Sequence, residues 1–232
     1  MISDRLKSMW RGQRDSGAAT PLQPSGTQSA VPVRRQPPPQ TSTRQSRGLE
    51  EFFAYIRGQS GLTLLDLGGA TQQNISFITD LGHRIYSENF LQILTETFSV
   101  EGPSDQSNPG RIDYFLRQAL EYPEAHFDGV LVWDVLEYLE PALLTSVVDR
   151  LRKIVRSKSY MLAFFHADNK LEAVPSYTFR IQEVNMLHVT SQGARQPVQL
   201  FNNRSLEKLF GGFESVKFFL TRDRLREVIV KV

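Results

Sequence analysis

Residues 62–71 read Leu62-Thr63-Leu64-Leu65-Asp66-Leu67-Gly68-Gly69-Ala70-Thr71, an apolar run closed by an acid and a pair of glycines. Six mainly apolar residues have the length of a buried parallel strand. Glycines directly after such a strand let the backbone turn sharply and approach a ligand, and the helix that follows offers free N–H groups. Residues 71–81 carry helical spacing, and 83–87 form a second short strand. A strand, a helix and a strand in succession pair in parallel, with the helix as crossover.

The same alternation extends in both directions. Before it, Leu49, Phe52, Phe53 and Ile56 recur at helical spacing, with Glu50 and Glu51 in the first turn, where acids suit the helix dipole. After it come a helix at 89–98, a Pro/Gly/Ser/Asp/Asn loop at 101–110 and a stretch of mixed helix and strand signal at 111–121. An apolar strand follows at 127–133, then a helix at 141–156 with Leu143, Leu144, Val147, Val148, Leu151, Ile154 and Val155 on one face. Residues 160–165 read as a strand, 177–190 as β-like and 205–210 as a helix with Asn203 or Arg204 near its cap. Strands at 215–220 and 225–232 close the chain around a tight turn at 221–223, which makes them antiparallel to each other. The expectation is an α/β fold with helices on both faces of a mostly parallel sheet.

Ligands of such sheets bind beyond the carboxyl ends of the strands, where the topology reverses. Four loops lie there. The first holds Asp66, Gly68, Gly69 and Ala70. The second holds Glu88, about twenty residues on, where an acid can take both hydroxyls of a ribose. The third follows Trp133 with Asp134, Glu137 and Tyr138, and the fourth opens at His166 with Asp168 and Asn169. A histidine there is a candidate general base or substrate contact.

With Leu120-Glu121-Tyr122-Pro123, Phe127-Asp128 and Glu137-Tyr138-Leu139 added, in order, to the glycine turn and Glu88, the chain resembles the class I S-adenosylmethionine-dependent methyltransferases over residues 49–232. The resemblance implies a Rossmann-like fold, a seven-stranded and mostly parallel sheet with an antiparallel last strand. It implies S-adenosylmethionine as cofactor, held by Asp66, Gly68, Gly69, Ala70, Glu88, Asn89, Gln118, Leu120 and Asp134. Glu137, Tyr138 and His166 are the candidate substrate residues, and no catalytic group is assigned. Transfer from a sulfonium needs mainly alignment and exclusion of water, so the lack of a catalytic dyad in the sequence is compatible with it.

Ala70 and Gln72 stand where that family usually has its second and third glycines. They motivate the alternative of a methyltransferase-like binding or scaffold protein without catalysis. A nicotinamide oxidoreductase is disfavoured, because Gly68-Gly69-Ala70-Thr71-Gln72-Gln73 does not supply Gly-x-Gly-x-x-Gly.

Composition sets the remaining bounds. The 232 residues include no cysteine, which excludes disulfides, thiolate metal sites and a thiol nucleophile. The four histidines show no ligand spacing, so no metal is expected. No Gly-x-Ser-x-Gly elbow occurs. No run of about 18 apolar residues exists to span a bilayer, and the first residues lack a secretory apolar stretch. A cytoplasmic location is the expectation.

The formal charge of +2 divides unevenly: residues 1–48 hold eight basic and two acidic side chains, leaving the remainder at −4. Residues 1–47, rich in Pro, Ser, Gln and Arg, are expected to be a disordered tail whose removal leaves the melting temperature unchanged. Residues 48–232 are expected to form the methyltransferase-like domain, with 169–203 inserted as a substrate cover. That segment mixes Tyr177, Phe179, Arg180 and Arg195 without a dense basic stripe. A small-molecule or protein methyl acceptor is therefore expected, and nucleic acid is not.

Overall fold

A computed structural model describes residues 41–98, 105–168, 172–221 and 225–232. In chain order the elements are β1 (Thr41–Gln45), α1 (Arg47–Ile56), β2 (Thr63–Asp66), α2 (Gln72–Asp80), β3 (Arg84–Ser87), α3 (Phe90–Phe98), α4 (Pro109–Ala119) and β4 (Phe127–Trp133). There follow a 3₁₀ turn (Val135–Tyr138), α5 (Pro141–Ile154), β5 (Val155–His166), β6 (Val174–Glu183), β7 (Met186–Arg195), α6 (Asn203–Leu209), β8 (Ser215–Leu220) and β9 (Leu225–Lys231).

The main sheet runs β3-β2-β4-β5-β9-β8. β2 pairs in parallel with β3 and β4, and β4 in parallel with β5, so Leu65 is level with both Tyr86 and Val130. β9 is antiparallel to both β5 and β8. The expected Rossmann-like α/β fold is present, but against the seven strands expected the sheet holds six among the described residues. The stretch of mixed signal at 111–121 is the reason: it is helical. Asn108 accepts from the N–H groups of Gly110 and Arg111, Pro109 occupies the first helical turn, and Phe115 and Ala119 are buried one turn apart. β3 is thereby left at the edge of the sheet. A second small difference lies at α6, where Asn202 is the cap and forms a reciprocal pair with Ser205.

Helices cover both faces. One core gathers α3, α4, α5 and α6 around Phe90, Phe115, Val130, Leu143, Val147 and Phe210. The other joins α1 and α2 to Leu64, Leu131, Trp133, Phe164 and Phe179. Each fully buried Leu or Phe contributes about 1.5–3 kcal/mol. α1 lies so close to the sheet that a Cβ on Gly129 would stand 2.8 Å from Phe52 Cζ, which accounts for a glycine in the middle of a central strand.

The expected cover at 169–203 is a hairpin, β6 and β7, and its third strand comes from an unexpected place. β1 pairs antiparallel with β7, from Thr41 opposite Thr190 to Gln45 opposite Met186. Residues 41–47 are therefore folded, which corrects the tail boundary; residues 1–40 of that expected tail lie outside the described residues. The segment Thr41–Gln45 buries little apolar surface, so its composition reads as a tail. Polar bonds hold it instead. Arg44 pairs with the fully buried Glu227 on β9, whose other oxygen accepts from Ser46 Oγ at 3.0 Å and Gly48 N at 2.6 Å. Ser46 Oγ also caps α1 by accepting from Leu49 N.

Candidate functional site

The carboxyl ends of β2, β3, β4 and β5 carry most of the singled-out residues. Asp66 ends β2 with no exposed surface. Its Oδ1 accepts from Gly68 N at 2.9 Å and Trp133 Nε1 at 2.6 Å, and its Oδ2 accepts from Asn74 Nδ2 at 2.9 Å. Burial raises its pKa, and the Trp133, Asn74 and Gly68 bonds oppose the rise. Asn74 also binds β6, donating to Phe179 O at 3.2 Å and accepting from Ile181 N at 2.8 Å. One amide thus ties the glycine turn to the covering hairpin.

Gly69 has φ +88°, a left-handed turn that suits glycine. Its N–H donates to Glu88 O, and Gly68 bridges Asn89, so the ends of β2 and β3 are laced together. Ala70 is exposed and is not among the left-handed residues, so an alanine there brings no backbone strain. Thr71 caps α2 by accepting from Asn74 N.

Glu88 is half-buried, and its carboxylate accepts from Tyr122 Oη. Burial, followed by that bond and the Glu88 charge, raises the Tyr122 phenol well above its ordinary range. Asn89 is exposed and bonds Gln92. Gln118 is exposed on α4. Leu120 is buried at the end of α4, and its carbonyl accepts from Arg150 Nε and Tyr122 N. These last two belong to the α4 layer rather than to the group at the ends of β4 and β5.

That group is the most distinctive part of the site. Trp133 ends β4 with φ +58°, and its ring stacks on Phe179 at 5.0 Å, an arrangement that turns the chain into the 3₁₀ segment. The turn delivers Asp134, Glu137 and Tyr138, all buried, beside His166 at the end of β5. Glu137 Oε1 accepts from His166 N at 2.8 Å, and Oε2 lies 2.6 Å from His166 Nδ1. The His166 ring stacks on Tyr177 of β6, and Arg195 of β7 lies 4.8 Å above the Tyr138 ring. Asp134 Oδ2, Tyr138 Oη and His166 Nε2 are buried without a hydrogen-bond partner.

Burial pushes the Asp134 carboxyl up to about 7, His166 and Arg195 opposing that rise and Glu137 adding to it. Burial also raises Glu137, against the bonds from His166 and the charge of Arg226. The Tyr138 phenol is held high by burial and by the charges of Asp134 and Glu137. Three acids or phenols and an imidazole therefore share one dry, coupled environment, the setting in which proton-transfer groups are found.

The structure thus brings together Asp66, Gly68, Gly69, Glu88 and Asn89 at one strand pair, and Asp134, Glu137, Tyr138 and His166 at the next. The sequence reading did not identify Asn74, Tyr122 or Trp133 as partners of the two acids. The eight-residue spacing from Asp66 to Asn74, from strand end to first helical turn, is the one signal that pointed to such a bond. Among the described residues no three His, Asp or Glu side chains gather as a metal site, and no helix is long and apolar enough to cross a membrane.

No family model matches the chain, and no curated protein matches it. Solved structures resemble it at low identity. The 1,6-didemethyltoxoflavin-N1-methyltransferase of Burkholderia thailandensis, bound to 1,6-didemethyltoxoflavin and S-adenosylhomocysteine, is 12% identical; the match covers 79% of this chain and 76% of that one, with a TM-score of 0.45. A SAM-dependent methyltransferase of Archaeoglobus fulgidus is 14% identical over 79% and 91%, with a TM-score of 0.46. Another, of Methanosarcina mazei, is 11% identical over 77% and 96%, with a TM-score of 0.44. Identity at this level assigns no activity to this chain.

Proposed function

We propose that the chain is an S-adenosylmethionine-dependent methyltransferase acting on a small molecule or a protein side chain. The observation that carries this reading is the placement of Glu88, the Gly68–Gly69 turn and Asp134 on neighbouring strands, β3, β2 and β4, at their carboxyl ends. The connections reverse direction between β2 and β4, the place where open α/β sheets bind ligands.

The residues fit the cofactor at three points. Gly69 keeps the left-handed turn, Glu88 has a second carboxylate oxygen beyond its bond to Tyr122, and Asp134 Oδ2 is buried without a partner. Glu88 would hold the ribose hydroxyls, with the Gly68·Asn89 bridge fixing its strand end beside the turn. Asp66 spends both oxygens inside the chain and shapes the turn. Bound S-adenosylmethionine supplies a methyl group on a sulfonium, already activated for transfer. The work left to the chain is to orient an acceptor and keep water out, and the β6–β7 hairpin over the end of β5 suits that work.

A second reading, binding without catalysis, is favoured by one observation: Trp133 and Tyr122 already engage the two acids. Calorimetry on the full chain separates the readings. Methyl transfer predicts heat with S-adenosylmethionine and S-adenosylhomocysteine below about 1 mM, weakened at least tenfold in Glu88→Gln. Absence of heat from both ligands in the wild type and in Tyr122→Phe, which frees Glu88, would overturn the first reading.

A further inference from the structure

Between α3 and the end of β7 lies a half-open cavity of about 160 Å³, bordered by Thr95, Gln106, Tyr138 and Arg195. Arg195 is half-buried there. Its guanidinium lies 4.8 Å above the Tyr138 ring and donates from Nη2 to Thr95 Oγ1 at 3.2 Å. That bond uses one of five N–H donors. Among the described residues no acid lines the cavity, and Arg195 enters no ion pair. Asp134 feels the Arg195 charge, but burial pushes its carboxyl up to about 7, so at lower pH it is neutral and leaves that charge uncompensated.

The polar walls are already committed in one sense only. Thr95 spends its proton on Leu91 O at 2.8 Å, so its oxygen serves Arg195 as an acceptor. Gln106 is 5% exposed; its Oε1 accepts from Glu140 N at 2.8 Å, and its Nε2 donates to Tyr138 O at 3.3 Å. An amide nitrogen carries a second proton. These fixed side chains therefore offer a ligand N–H groups and no free acceptor. The walls are also fastened to one another. Val198 N and Gln199 N donate to Glu137 O at 2.9 and 3.2 Å, and Gln199 Nε2 to Leu139 O at 2.7 Å, so the chain after β7 is held against the 3₁₀ turn. A site fixed before its ligand arrives loses little order on binding.

A fork of N–H groups on a cation, with no acid beside it, selects an anion. Two donor side chains match the two coplanar oxygens of a carboxylate, whereas a phosphate has more oxygens to satisfy. Leu94 and Phe98 leave a short apolar wall for the carbon that bears it. A cavity of about 150 Å³ takes one benzene ring, so the molecule is small or enters by one end.

We propose that this cavity binds a small carboxylate, held by Arg195 and the Gln106 amide. Its role as the handle of the methyl acceptor rests on the methyl-transfer reading; its binding of a carboxylate does not.

The test titrates the full chain with propionate at pH 6 and constant ionic strength, without cofactor, and follows the arginine Nε–H resonances by NMR. Propionate is expected to shift the Arg195 resonance with a dissociation constant on the order of 1–10 mM. Propionamide, of the same shape without the charge, is expected to bind at least tenfold more weakly, and Arg195→Gln to weaken propionate by a similar factor. Arg195→Gln gives up one hydrogen bond to a partly exposed partner, and a thermal melt verifies its fold; the wild-type resonance decides the matter if that variant unfolds. An unmoved Arg195 resonance, equal binding of propionate and propionamide, or tighter binding of inorganic phosphate than of propionate would overturn the proposal. Propionate binding without heat from S-adenosylmethionine would overturn methyl transfer and leave the carboxylate site standing.

Discussion

The carboxylate of Glu137 takes hold of His166 twice, accepting its backbone N–H at 2.8 Å and facing its ring Nδ1 at 2.6 Å. A side chain anchored at both ends has one orientation and one tautomer. The prediction is that Glu137→Gln reverses the tautomer, because an amide N–H facing the ring nitrogen needs an acceptor there. NMR of the imidazole nitrogens should find the proton on Nδ1 in the wild type and on Nε2 in the variant. An unchanged tautomer would show that Glu137 does not set it.

Asp134 makes stability depend on pH in the direction opposite to a surface carboxylate. Its folded value of about 7 stands above the ordinary 3.8, so between these values the folded chain holds a proton that the unfolded chain has released. Stability from this group is full below the unfolded value and is lost as pH rises toward the folded one, at most about 4 kcal/mol in all. Asp134→Asn should therefore gain on the wild type between about pH 4 and about pH 7 in urea midpoints, with no further gain above the folded value. Parallel curves for the two proteins would refute the assignment.

Removing residues 1–47 takes away β1, the Ser46 cap and the Arg44 ion pair with the fully buried Glu227. Breaking such a pair costs about 3 kcal/mol or more, or roughly 6–12 °C in a domain of this size. Arg44→Ala alone should produce most of the fall. A truncation at residue 40 keeps every one of these bonds, and its melting temperature is the control.

Gly129→Ala places a methyl 2.8 Å from Phe52 Cζ and 3.0 Å from Leu64 Cδ2. Overpacking of this kind costs about 1–3 kcal/mol. Phe52→Leu in the same chain should return part of the loss, a non-additivity that a double-mutant cycle measures.

Much of this architecture is legible in the residues, and the boundary of legibility has a physical cause. The strands at 62–67 and 127–133 and the helix beginning at Pro141 announce themselves because one buried element writes its own apolar period. The segment 111–121 reads ambiguously because its helix depends on the Asn108 cap and on two buried residues in eleven. β1 is hidden, since Thr41–Gln45 is held by pairing with β7 and by Glu227 rather than by apolar burial. The candidate acids Asp66, Glu88, Asp134 and Glu137 can be picked out from their loops. Their partners cannot, because the Trp133–Asp66 and Tyr122–Glu88 bonds span 67 and 34 positions.

β1 also has a history during synthesis. Its Thr41 meets Thr190, 149 residues later, and Arg44 meets Glu227 later still. At roughly 5–20 residues per second the ribosome needs about 7–30 s to deliver that first partner. Throughout that interval β1 is a strand with nothing to pair with, the condition in which apolar segments stick to one another. A strand of Thr, Ser, Thr, Arg and Gln can wait in water without harm. The polarity that makes it look like a tail also keeps it available until the hairpin that completes its sheet has been made.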